Sequence, residues 1–219
     1  MCLIVLGWRV HPDFPLIVAA NRDEFHAHPA APAAFWEDHP GILAGRDLEA
    51  HGTWMGVSRS GKFAAVTNYR GGTEARAAES RGALVSRFLA NGDQPGNYIQ
   101  SLKPALYSGF NLLATDGEEL WWMTNRDGKP RRLEPRIYGL GNTLLDAPEV
   151  EPVKKAFAAE VVPAPAIESL FRLLESAKIV NPQYGTRCST VLLKGKRTRY
   201  AERPFGPDGA DGETLHFEF

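Results

Sequence analysis

The chain opens on an unbroken apolar run, Leu3-Ile4-Val5-Leu6, directly behind Met1-Cys2. Four consecutive apolar residues, stopped by Gly7-Trp8-Arg9, read as a buried strand. The start of the chain is therefore expected to be held in a core rather than left to fray. Cys2 is small, and an initiator methionine is normally trimmed when the next residue is small. Removal of Met1 would leave a free α-amine and a thiol on one residue. A nucleophile beside its own base is a known way to activate a weak nucleophile. The two groups have reference pKa values of about 7.7–8.0 and about 8.5, so both change protonation near neutral pH. The competing reading of Cys2 is a small apolar residue at a strand start.

Leu16–Ala20 reads as a second strand, joined to the first through the turn His11-Pro12-Asp13-Phe14-Pro15. It runs into Asn21-Arg22-Asp23-Glu24, four polar residues whose burial needs partners. Strand alternation puts Asn21 and Asp23 on one face and Arg22 on the other. Residues 26–40, rich in Ala, Pro and His, read as an irregular surface segment. His26, His28 and His39 lie near it, but no cysteine or tight carboxylate pattern completes a metal-ligand set. Ala44–Asp47 and Gly52–Val57 lead into a hairpin with arms Trp54–Ser58 and Lys62–Asn68. The second arm continues through Tyr69-Arg70-Gly71-Gly72. Apolar spacing predicts helices over 80–90 and 98–106, then strands at 110–115, 120–124, 132–133 and 137–140. Two further helices, 153–161 and 166–176, precede strands at 191–194, 199–203 and 215–219. Trp121-Trp122 puts one indole on each face of its strand, which suits a sheet covered on both sides. Repeats and linkers are lacking, so a single domain over residues 1–219 is expected. The succession of elements fits an α+β fold of two stacked antiparallel sheets flanked by helix layers.

Hydrophobic residues make up 43% of the 219 residues and charged residues 23%, ordinary for a globular protein. A formal net charge of −1 argues against a nucleic-acid binder that works by neutralising phosphates. No apolar run approaches the roughly 18 residues of a membrane span. The N-terminus lacks the basic start of a signal peptide. Cys2 and Cys188 do not make a disulfide framework, and a cytoplasmic location is the expectation.

Polar residues recur where apolar strands begin or end: Cys2, Asn21, Asp23, Asn68, Asn142 and Arg187. Their chemistry suits attack on an amide or ester carbonyl. Cys2 would be the nucleophile, and Asn68 and Asn142 would offer N–H donors to an oxyanion. Asp23 would anchor the terminal amine, and Arg187 would lower the thiol pKa. Taken singly, each asparagine is equally a turn or cap residue.

Met1-Cys2, Asn21-Arg22-Asp23-Glu24, Thr67-Asn68-Tyr69-Arg70, Gly141-Asn142 and Thr186-Arg187-Cys188-Ser189-Thr190 together resemble the NRDE-motif, or transport-and-Golgi-organisation, family. That family resembles the N-terminal-nucleophile hydrolases of the choloylglycine hydrolase and penicillin V acylase branch. The resemblance implies a four-layer αββα sandwich. It also implies Cys2 as nucleophile supported by Asp23, Asn142 in the oxyanion hole, Arg187 close to the thiol, and Asn68 at a further site position. The choloylglycine branch tends to carry arginine just before its Asn-x-Asp, where this chain has Ala20, so that role is not transferred to Arg22. A structural pairing of Arg22, for example with Glu24, is expected instead. Two functions follow: a hydrolase of a carbon–nitrogen bond in a small non-peptide amide, needing no cofactor or metal, or a non-catalytic carrier of haem or an acyl-lipid on the same fold.

Overall fold

The computed structural model describes residues 2–71, 77–162 and 164–219. The expected removal of Met1, and the end of the stretch through Gly72, fall outside these residues. The chain divides into two compact units, Met1–His28 with Pro135–Phe219, and Pro29–Glu134.

The first unit is built from both ends of the chain. β1 (Leu3–Trp8) and β2 (Leu16–Phe25) pair antiparallel, Leu3 opposite Asn21 and Trp8 opposite Leu16. β10 (Arg136–Leu140) flanks β1, and β11 (Tyr184–Lys194) flanks β2. β12 (Thr198–Pro204) and β13 (Leu215–Glu218) complete a six-stranded sheet ordered β10-β1-β2-β11-β12-β13. One face carries Leu3, Val5, Ile17, Ala19, Val191, Leu193 and Ala201. These pack against Phe157 and Val161 of α3 (Glu151–Val161) and Leu170, Phe171 and Leu174 of α4 (Ile167–Glu175). The alternate residues Ile4, Leu6, Val18, Ala20 and Leu192 are equally buried. A strand buried on both faces reads as a continuous apolar run, which is why Leu3–Leu6 carries no polar residue.

The second unit is a seven-stranded antiparallel meander, β3 to β9 in chain order. Its strands are β3 (Ala30–Phe35), β4 (Ile42–Asp47), β5 (Met55–Ser58), β6 (Phe63–Asn68), β7 (Phe110–Thr115), β8 (Leu120–Thr124) and β9 (Arg131–Leu133). Leu84, Val85, Phe88 and Leu89 of α1 (Gly82–Ala90), with Tyr98 and Ile99 of α2 (Pro95–Ser101), cover Ala64, Val66, Leu112 and Ala114. Trp121 packs against this cluster, and Trp122, on the opposite face, is buried. Lys62 is drawn inward to close α1. Its ammonium donates to the carbonyls of Phe88 and Asn91 at the helix end, where carbonyls lack intrahelical partners, and to that of Asp93 just beyond.

Three elements differ from expectation. Residues 26–40 contain β3, an edge strand whose register against β4 shifts between Ala31 and Ala34. Pro32 sits inside that shift, where a missing N–H costs no ladder bond. The helix expected over 98–106 instead begins at Pro95 and stops at Ser101, and a separate 3-10 turn covers Pro104–Leu106. Finally, β11 starts at Tyr184, well before Val191. Its polar first half is strand because Thr186 and Ser189 find polar partners across the ladder on β2. Among the described residues no helix is long and apolar enough to cross a membrane.

Asn21 ties a helix to this sheet. It is fully buried, its Nδ2 donates to Leu174 O at 3.0 Å, and its Oδ1 accepts from Ser189 Oγ at 2.6 Å. Asn21→Ala should therefore lower the unfolding free energy by about 2–4 kcal/mol, since two buried groups lose a partner at once. Urea unfolding checks this, and a cost under about 1 kcal/mol would show that the tie is dispensable.

Candidate functional site at the Cys2 end of the six-stranded sheet

The register of the sheet fixes which residues neighbour Cys2. Leu3 lies opposite Asn21, so one step outward sets Cys2 level with Arg22. Arg22 lies opposite Cys188 on β11. On the other side Ile4 pairs with Leu140, the last residue of β10, and Asn142 follows two residues beyond it. Residues directly opposite in an antiparallel pair share a face. Leu3 and Asn21 face α3 and α4. Cys2, Arg22 and Cys188 therefore face the other way.

The Cys2 thiol is half-buried, and its Sγ donates to the main-chain oxygen of Asp23 at 3.5 Å. The Tyr184 hydroxyl donates to the same oxygen at 3.4 Å. The Asp23 carboxylate is buried, and Oδ1 accepts from Thr186 Oγ1 at 2.7 Å. Thr186 Oγ1 in turn accepts from the N–H of Ile179 at 2.8 Å, which fixes the hydroxyl's direction. Burial pushes the Cys2 thiol above its ordinary pKa, and the Asp23 charge adds to the push. A main-chain hydrogen bond from Asp23 and the Arg22 guanidinium act against it. At neutral pH the group is thus a protonated thiol, and attack on a carbonyl requires a base to take its proton.

Asn142 is buried just past the end of β10. Its loop is held from below by Asp146, a non-glycine residue at φ 59°. Such a conformation persists only where its surroundings over-determine it. Here the Asp146 N–H donates to Gly139 O at 2.8 Å. Its carboxylate accepts from the Gly139 N–H at 2.9 Å and from Arg136 at 2.8 Å, and pairs with Lys154 at 2.9 Å.

Asn68 belongs to the second unit, where it ends β6 opposite Phe110 and is exposed. Arg187 is the extra residue at the register shift between Thr186 and Cys188. Its Nη1 donates to the carbonyls of Phe25, His26 and His28 at 3.0–3.2 Å. The guanidinium that acts on the Cys2 thiol is that of Arg22, with Glu24 its ion-pair partner at 3.9 Å. Sequence reasoning passed over Arg22 and Thr186. The signal for Arg22 was present in the alternation that separates it from Asn21 and Asp23, because the same alternation puts it on the face of Cys2.

Cys188 is buried on the Cys2 face, and its pKa is pushed well up by burial and by the Glu202 carboxylate. Two strand spacings, about 10 Å, separate the two cysteines. A disulfide needs Cα atoms within about 7 Å, so both stay free without backbone movement. Iodoacetamide should label Cys2 roughly tenfold or more faster than Cys188. Because burial raises the Cys2 pKa above that of an ordinary thiol, its labelling rate should still be climbing at about pH 9. Peptide mapping across pH 7–10 reads both expectations, and a plateau below pH 8 would contradict the assigned burial.

The model of the Transport and Golgi organisation 2 family matches residues 1–183. The chain is 35% identical to the Transport and Golgi organization protein 2 homolog of Bos taurus, covering 100% of this chain and 99% of the relative. It is 32% identical to the Homo sapiens homolog, with the same coverage. Among solved structures, a C2A mutant of the conjugated bile acid hydrolase from Clostridium perfringens aligns with TM-score 0.61 at 9% identity, over 100% of this chain and 97% of that one. Penicillin V acylase from Agrobacterium tumefaciens aligns with TM-score 0.56 at 14% identity, over 93% and 83%. The chain thus has the αββα sandwich fold of the N-terminal-nucleophile hydrolases, as the sequence resemblance implied. By family model and by relatives matched along their whole length, the chain belongs to the Transport and Golgi organisation 2 family.

Proposed function

We propose that the chain is an N-terminal cysteine hydrolase that cleaves the carbon–nitrogen bond of a small non-peptide amide. The observation that supports this reading is the half-buried Cys2 thiol at the start of β1, between β2 and β10, bonded to Asp23 O. The fold adds support, being shared with an acylase, a conjugated bile acid hydrolase and an N-acylethanolamine-hydrolyzing acid amidase ortholog. In the mature chain, with Met1 removed, the α-amine of Cys2 takes the thiol proton. The sulfur attacks the amide carbon, and Asn142 donates to the oxyanion that forms. The ammonium returns its proton to the leaving nitrogen as the C–N bond breaks, leaving a thioester on Cys2. Water, activated by the same amine, then releases the acid. A thiol with a raised pKa fits this route, because it needs the neighbouring base that trimming creates.

Untagged protein should begin at Cys2 by intact mass and should hydrolyse members of a broad amide panel. Cys2→Ala should keep the fold, with a stability loss on the order of 1 kcal/mol, and should lose turnover entirely. Trimmed wild-type protein that hydrolyses nothing in the panel, yet binds haem or an acyl-CoA tightly, would favour a carrier and end the hydrolase reading.

A further inference from the structure

Arg22 holds a largely buried charge that the described residues leave without a hydrogen bond. Its side chain is 13% exposed, and the carboxylate within 4 Å is Glu24 Oε2, at 3.9 Å. That separation is beyond hydrogen-bond reach. The other Glu24 oxygen is already engaged, accepting from the Phe25 N–H at 2.9 Å. Arg203 makes an instructive contrast. At 15% exposure it donates to both Thr214 and Glu168 at 3.0 Å. Arg187 has three carbonyls, and half-buried Arg46 grips Asp38 with both terminal nitrogens. Removing a guanidinium from water is costly unless its N–H groups find acceptors, and a 3.9 Å ion pair supplies none. Arg22 also stands level with Cys2, one strand spacing of about 4.8 Å away and on the same face. Its five donors form a fork whose geometric match is a carboxylate or a phosphate.

We infer that the substrate is an amide carrying an anionic group, carboxylate or phosphate, a few bonds from the scissile C–N, and that Arg22 binds that group. This rests on the hydrolase reading for the bond that is cut, but the recognition of the anion stands apart from it. Substrate binding would supply the hydrogen bonds that the 3.9 Å ion pair with Glu24 does not make, and it would set the attacked carbonyl at Cys2 by anchoring its neighbour.

Three probes with one acyl chain and three head groups test this: N-octanoylglycine, N-octanoyl-O-phosphoethanolamine and neutral N-octanoylethanolamine. Hydrolysis is measured with wild type, Arg22→Gln and Arg22→Lys, and binding by calorimetry with Cys2→Ala and Cys2→Ala/Arg22→Gln. Wild type should favour one anionic probe over the neutral one by about tenfold or more in kcat/KM. Which of the two is favoured separates carboxylate from phosphate. Arg22→Gln should collapse that ratio, mainly through KM, and Arg22→Lys should fall between. Calorimetry should show the same preference in Cys2→Ala and its loss in the double variant. If no probe is hydrolysed but the binding preference survives in Cys2→Ala and vanishes with Arg22, the hydrolase reading fails and the anion site stands. If Arg22→Gln lowers all three probes in equal proportion, the arginine serves the thiol or the oxyanion and the inference is overturned. Equal binding of charged and neutral probes to Cys2→Ala overturns it as well, whether or not the Arg22 variants fold.

Discussion

The arrangement around Cys2 depends on one irregularity, the extra residue in β11. On the Lys194 side of Arg187, Cys188 faces Arg22; on the Tyr184 side, Thr186 faces Asp23. Without the shift, pairing would run on unbroken and every side chain between Tyr184 and Arg187 would change face. The shift is held because Arg187 leaves the β2 ladder and gathers three carbonyls, one from the last residue of β2 and two from the segment after it. Thr186 can then hold the Asp23 carboxylate while Arg22 keeps the opposite face. The sheet thus sorts two opposite charges, adjacent in sequence, to different sides of one strand.

Cys2 sits under competing influences. Burial and a nearby carboxylate favour the neutral thiol, while Arg22 and a main-chain bond favour the thiolate. The first pair prevails. A thiolate that forms only when a base accepts its proton is less exposed to oxidation than a permanently charged one. Cys188 lies further along this scale, buried beside Glu202 and well removed from titration near neutral pH. The two cysteines therefore differ in environment more than in chemistry.

Much of this was legible in the sequence, and the reasons for the rest are physical. Strands such as Phe110–Thr115 and Leu120–Thr124 were found with their bounds because their apolar pattern is local. β3 was not, since Ala and Pro at a sheet edge carry no strand signal of their own. The polar half of β11 was hidden because Thr186 and Ser189 are stabilised by Asp23 and Asn21, more than 160 positions away. Cys2, Asp23 and Asn142 announced themselves as polar residues at strand ends. Arg187 did so too, but a guanidinium is long, and its direction is set by which carbonyls lie within reach. The grouping of Cys2 with Arg22 needs the pairing register, which spacing alone does not supply.

The six-stranded sheet is assembled from residues 1–28 and 135–219, whereas the other unit is a contiguous stretch. During synthesis β1 and β2 emerge first, yet both of their neighbours, β10 and β11, come from the second half of the chain. For most of translation the β1–β2 hairpin has two open edges and no helix layer. Until β10 and β11 arrive, the apolar run Leu3–Leu6 is a strand edge open to pairing with other chains. Closure on either side removes both edges. Chain order thus leaves the sheet that carries Cys2 to be completed last.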